Sequence, residues 1–111
     1  MTTKNKSEIK IQREICEWLE ERGVFFWRNN SVGLFDPFMN RYRKKGRFEI
    51  IGISDILAVI GGRFVAIEVK SKTGKPTPSQ LIFMDKVNKS GGLAFVARSV
   101  EEVEKELFLL I

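Results

Sequence analysis

The sequence predicts an α/β fold, a mixed sheet flanked by helices in the order α-β-β-β-α-β-α. Three observations carry this. An amphipathic helical pattern runs from Ser7 to about Arg22, two apolar strands flank Gly61-Gly62, and a capped helix precedes a strand and a second capped helix. A helix between two strands of one sheet makes their connection a crossover, which places helices on the sheet faces.

The first helix is expected to start at a Ser7 cap. Ile11, Ile15, Trp18 and Leu19 recur at i, i+4, i+7 and i+8, and Gly23 lies just past the end. VFFWR (Val24 to Arg28) reads as a strand, and residues 29–46 read as a loop containing Pro37. FEIIGISDILAVI (Phe48 to Ile60) then leads through Gly61-Gly62 into RFVAIEVK (Arg63 to Lys70), the pattern of a hairpin. Thr77-Pro78-Ser79-Gln80 forms a capping box with proline at the first helical position, opening a helix to about Lys89. Gly91-Gly92 ends it, LAFVAR (Leu93 to Arg98) is a strand, and Ser99-Val100-Glu101-Glu102 is a second capping box.

A chain of 111 residues, 43% hydrophobic, matches one globular domain over residues 1–111, with no repeats and no low-complexity linker. MTTKNKSEIK lacks the apolar run of a secretory signal and no stretch approaches a membrane span, so the expectation is a cytoplasmic protein. The sequence contains no histidine. That excludes Ser-His-Asp and Cys-His nucleophiles, histidine-metal nuclease sites and imidazole acid/base pairs. Catalysis would rest on carboxylates, lysines, hydroxyls and a metal held by the carboxylates. Cys16 is the one cysteine, so no internal disulfide forms; on the first helix it reads as a small buried hydrophobe.

The net charge of +5 is unevenly placed. Between Val24 and Ile50 six basic residues face two acidic ones, which gives that segment +4. Arg41, Arg43, Lys44, Lys45 and Arg47 fall within seven residues, interleaved with tyrosine and glycine and interrupted by no acid. A charge run can be a solvated loop; this one, in an otherwise nearly neutral chain, points to contact with a polyanion.

Asp55, Glu68 and Lys70 interrupt strands otherwise fit for a core. A two-residue turn at Gly61-Gly62 pairs Ile60 with Arg63 and, counting outward, Asp55 with Glu68. The two carboxylates are then opposed, their Cβ atoms about 4.5–5.5 Å apart. Lys70 projects from the same face as Glu68. Opposed like charges at a half-buried sheet end destabilise the fold unless something neutralises them. A divalent cation does so, and all-oxygen ligands favour Mg2+ or Mn2+ over zinc or copper. An Asp55–Lys70–Glu68 ion-pair cluster without metal is the competing arrangement.

GISD (Gly52 to Asp55), IEVK (Ile67 to Lys70) and a downstream glutamine opening a helix (Gln80) resemble the PD-(D/E)xK nuclease superfamily. Within it the chain most resembles the virus-type replication-repair nuclease family, the VRR-NUC domain. The likeness runs from Glu14 through GKPTPSQ and the GGLAFVARS strand. Ser54 stands where the superfamily name has proline, and the GxSD form is usual for this family.

That resemblance implies a restriction-endonuclease-like fold and metal-dependent phosphodiester hydrolysis. For short stand-alone members, often phage-encoded, it implies homodimeric, structure-selective endonucleases acting on branched DNA such as Holliday junctions, here in a bacterial host's cytoplasm. Asp55 and Glu68 would hold the metal, joined by the Val69 carbonyl. Lys70 would orient or deprotonate the attacking water, or stabilise developing charge. Glu14 resembles the family's first-helix acid, although an acid-rich amphipathic helix explains it without a site. Gln80 matches an active-site position, and the capping box explains it equally well. Lys72, Lys75 and Arg28 are candidate phosphate contacts. Flap, single-stranded or duplex DNA remain alternative substrates, and an inert nucleic-acid-binding module remains an alternative function. The C-terminal run Leu107 to Ile111 is too broadly apolar for one face of a surface helix, which points to a homodimer; burial in the chain's own core is the alternative.

Overall fold

The computed structural model describes residues 6–29, 35–36, 41–42 and 46–111. Its elements are α1 (Lys6–Glu21), β1 (Phe25–Arg28), β2 (Phe35–Asp36), β3 (Arg41–Tyr42), β4 (Ile56–Ile60), β5 (Arg63–Val69), α2 (Pro78–Lys89), β6 (Leu93–Ala97) and α3 (Val100–Leu107). The four-stranded sheet has the order β1-β4-β5-β6. Its first two pairings are antiparallel, and β5–β6 is parallel through the α2 crossover. The main sheet and its helices thus follow α-β-β-β-α-β-α, with β2 and β3 forming a small antiparallel pair inside the segment expected to be loop.

Alternation along the strands sorts the side chains onto two faces. Ile56, Ala58, Ile60, Val65, Ile67 and Val69 face α1 and α3, where Ile15, Leu19, Val103 and Leu107 complete a core. Leu57, Ala66 and Ala94 pack on the other face against Phe83 and Met84 of α2. The hairpin register is the expected one: Ile60 pairs with Arg63, and Ile56 with Ile67. Gly61 (φ 58°) and Gly62 (φ 80°) take the left-handed conformations that a two-residue turn of this hand requires.

Three boundaries differ from expectation. Helix α1 is already running at Lys6, so Ser7 lies inside its first turn instead of capping it. The strand expected from Phe48 begins only at Ile56, because Gly52 (φ 78°) turns the backbone against the start of α2. The second capping box is half formed. Ser99 Oγ accepts from the Glu102 amide, but the Glu102 carboxylate accepts from the Arg98 amide, one residue before the cap.

Candidate active site

The end of the sheet away from the Gly61-Gly62 turn gathers Asp55, Glu68 and Lys70. Asp55 immediately precedes β4, Glu68 sits in β5, and Lys70 follows it. Regular pairing stops at Ile56–Ile67, so the expected Asp55–Glu68 opposition falls one position past the ladder. There Asp55 Oδ2 accepts the Val69 amide at 2.7 Å, and the Asp55 carbonyl accepts the Asn29 amide at 2.9 Å. Glu68, fully buried, has Oε2 3.6 Å from the Lys70 ammonium. Each carboxylate therefore meets its own positive dipole or charge. This local compensation is what lets two acids share a sheet end.

A buried ion pair is weak evidence for stability, since desolvation of both charges offsets most of their attraction. Lys70 is only 6% exposed and its amide donates to the Ala97 carbonyl in β6, so the strand fixes where its ammonium starts. Such a pair at a sheet end makes chemical sense when a ligand completes the charge balance.

The segment leading into Asp55 is held by close backbone contact. A Cβ on Gly52 would lie 2.4 Å from the Ser79 carbonyl carbon and oxygen and 2.8 Å from the Gln80 nitrogen. Only glycine allows this approach, which ties the GISD segment to the first turn of α2. That turn carries the expected capping box: Thr77 Oγ1 accepts from the Gln80 amide, and Gln80 Oε1 accepts from the Thr77 amide at 2.8 Å. Gln80 thus lies beside the GISD segment, with its carbonyl oxygen used by the cap.

The turn after Lys70 has a clamp that sequence inspection did not find. The Arg98 guanidinium, one residue past β6, donates from Nη1 to the Ser71 carbonyl and, at 2.7 Å, to the Gly74 carbonyl. An arginine ending a strand gives no signal of such a role. Glu8 was also missed. It is 8% exposed, and a Cβ on Gly74 would meet its Oε1 at 3.5 Å, so the Glu8 carboxylate lies against the same turn. Helical spacing could have found it, because Glu8 shares the inward stripe of Ile11, Ile15 and Leu19. Glu14 is exposed on the solvent side of α1, so the first-helix acid that the fold carries toward the Lys70 turn is Glu8.

Lys72 and Lys75 are exposed on the segment after Lys70, and Arg28 is exposed at the end of β1. In the basic segment, Arg47 lies over the Phe48 ring at 5.1 Å, and Arg41 belongs to β3; Arg43, Lys44 and Lys45 lie outside the described residues. Burial pushes the Cys16 thiol above its ordinary pKa, an effect opposed by the Arg28 charge and reinforced by Glu17.

Whether this site suits a cation is a question of donors. Asp55, Glu68 and the Val69 carbonyl supply oxygen only, which matches a hard divalent ion. Ser54, the residue before Asp55, is fully buried, and its hydroxyl makes no hydrogen bond among the described residues. No group of three or more Asp, Glu, His or Cys side chains assembles among the described residues. The donor chemistry fits.

Comparison with known proteins decides the family. The model of the VRR-NUC domain matches residues 6–101. The chain belongs to the VRR-NUC family. It is accordingly a nuclease domain of the PD-(D/E)xK type with DNA as its substrate, in a family generally dependent on divalent metal. A solved structure described as a VRR_NUC domain protein is 18% identical, with 98% of this chain and 91% of that one covered at a TM-score of 0.69. Another, described as a VRR_NUC domain, is 25% identical, with 95% and 97% covered at a TM-score of 0.66. No curated protein matches the sequence. Among the described residues no helix is long and apolar enough to cross a membrane.

Proposed function

We propose that this VRR-NUC domain is a metal-dependent DNA endonuclease that hydrolyses phosphodiester bonds at branched DNA, as a Holliday-junction resolvase does. The observation that carries the reading is the buried Glu68–Lys70 pair, 3.6 Å apart, beside an Asp55 carboxylate anchored on the Val69 amide. Mg2+ or Mn2+ held by Asp55, Glu68 and the Val69 carbonyl would polarise the scissile phosphate and lower the pKa of a bound water. Lys70 presents its ammonium at the same sheet end, where it stabilises charge developing on the phosphate or orients the attacking water. Glu8, against the Lys70 turn, replaces Glu14 as the first-helix acid of the site. Gln80 acts by fixing the α2 start under the GISD segment.

Exposed Lys72, Lys75 and Arg28 flank this end, and the basic segment with Arg41, Arg43, Lys44, Lys45 and Arg47 supplies further phosphate contacts. Neutralising three of these five should weaken binding across sequences, lowering the logarithmic salt slope by roughly one per lost contact. An unchanged slope returns the segment to a solvated loop. Two nicks placed symmetrically across a four-way junction call for a two-fold dimer. The C-terminal run offers the surface. Leu107 is buried and Leu110 partly so, while Phe108 (74%), Leu109 (90%) and Ile111 (49%) are exposed. Sedimentation at micromolar protein should show the dimer.

Cleavage of four-way junction, flap, single-stranded and linear duplex DNA, with and without Mg2+, tests the whole reading. Metal-dependent cutting of the junction above the linear duplex is expected. Preferential cutting of flaps or single strands would move the substrate, and no cutting of any DNA in Mg2+ or Mn2+ would leave an inert binding module.

A further inference from the structure

Strand β1 carries an aromatic pair that the core does not use. Phe25 (68% exposed) and Trp27 (41% exposed) project from the face opposite α1, while Phe26 between them packs into the α1 core. Their rings sit 5.5 Å apart, tilted by 43°. Helix α2 packs over β5 and β6 and reaches β4 at Leu57; among the described residues no helix covers β1 on this face. Exposing two large rings side by side on an edge strand forfeits apolar burial, and a soluble domain rarely does so without a ligand for them.

The register says what lies next to them. Trp27 pairs with Leu57 and Phe25 with Val59. Asp55 is two residues from Leu57, so by alternation it shares their face; the Asn29 amide bonded to its carbonyl continues the same register. Trp27 and Asp55 are thus diagonal neighbours, a relation that typically separates two positions by about 7–8 Å, within reach of an aromatic side chain. The ring and the carboxylate therefore lie on one face of the sheet, one strand and two residues apart. Arg28, next in the strand, projects from the opposite face, toward Cys16 of α1, and takes no part in the platform.

From this juxtaposition we propose that Trp27, backed by Phe25, is a stacking platform for an unpaired nucleobase of the DNA whose backbone passes Asp55 and Glu68. The inference rests on the nuclease reading and deepens it. The site selects DNA in which a base beside the scissile phosphate is already unstacked, as at a branch point, since a base within a continuous duplex has both faces occupied. Stacking uses the π-face that every base has, so the selection is for structure and not for sequence.

The test is binding without metal, in EDTA, so that cleavage plays no part. Trp27→Ala should weaken binding to a branched DNA with unpaired nucleotides about tenfold, while a fully paired duplex changes by less than about twofold. Trp27→Phe should restore most of the loss, and Trp27→Leu, apolar but without a π-face, should not. In Trp18→Phe protein Trp27 is the remaining tryptophan, and its fluorescence should be quenched by the branched DNA and not by the duplex. Equal losses on both DNAs, or full rescue by leucine, would overturn the platform. So would a Trp27→Ala protein that changes from dimer to monomer, since a second copy of the chain would then be what covers the rings. If Trp27→Ala does not fold, the phenylalanine and leucine variants and the quenching decide alone. Failure here leaves metal-dependent cleavage intact, whereas failure of the nuclease reading abolishes cleavage and leaves the quenching in place.

Discussion

The two faces of the central sheet draw on the same strands and reach different ends. Under α1 and α3, Ile15, Ile56, Val65, Ile67, Val69, Val103 and Leu107 are fully buried or nearly so. On the opposite face, α2 covers Leu57, Ala66 and Ala94, Glu68 and Lys70 are buried too, Asp55 is half-buried, and Trp27 and Phe25 are exposed. One face secures the fold with apolar packing, and the other uses that rigidity to hold charges and rings where packing alone would not keep them.

Substitutions on the two faces should therefore differ sharply. Ile67, fully buried among both helices, should lose about 4 kcal/mol of stability as Ile67→Ala, from lost transfer free energy and the cavity left behind. Val59, 36% exposed on the open face, should lose under about 1 kcal/mol as Val59→Ala. Denaturant midpoints of the two variants measure the contrast, and similar losses would mean that the open face is covered in solution.

The charged end can be separated from the packed one by metal. Asp55→Asn keeps the shape and the Val69 hydrogen bond while removing a charge. Its metal-free stability should be within about 1 kcal/mol of the parent. For the parent, Mn2+ at about 100 times its dissociation constant should add roughly 2.7 kcal/mol, and the variant should show little of this and almost no cleavage. A parent melt unmoved by millimolar Mn2+ would sink the metal site. A large loss in the metal-free variant would instead favour a purely structural ion-pair cluster.

Gly52 links the faces, because it presses the GISD segment onto α2. Gly52→Ala should cost about 2 kcal/mol, from a Cβ driven into the Ser79 backbone and a left-handed φ. Cleavage should fall further than this loss explains, since Asp55 moves with the segment. Activity measured well below the variant's melting temperature checks that, and normal activity there would show that the contact does not position Asp55.

How far the sequence reveals all this depends on the range of the interactions. Hairpin register, the Thr77–Gln80 capping box and the alternation of the faces are set within a few residues, and all three are visible in the chain. Asp55 and Glu68 were legible because a two-residue turn fixes their partners by counting. The Arg98 clamp on Ser71 and Gly74 spans more than twenty residues and has no local signature. Glu8 and Glu14 are both acids on one amphipathic helix, and only the inward stripe, six residues of helical rotation apart, separates them. The start of β4 at Ile56 was hidden because the force that ends the extended run, contact with α2, comes from a helix formed later in the chain.

The smallest effect tests how far the packed face extends. Cys16 lies at its rim, partly buried, and its thiol is held protonated chiefly by loss of solvent, with Glu17 adding and Arg28 opposing. A thiol whose folded pKa is raised favours folding fully below the unfolded thiol's pKa, and the contribution is lost as pH rises through the folded value. The parent should therefore lose slightly more stability between neutral and strongly alkaline pH than Cys16→Ala does. Alkylation should be slow at neutral pH, because the thiolate is the nucleophile and burial disfavours it. Exchanging Arg28 for glutamine removes the opposing charge, so it should slow alkylation further. If Arg28→Gln instead speeds alkylation, the guanidinium is shielding the sulfur rather than acting on it through charge, and the packed face ends before Cys16.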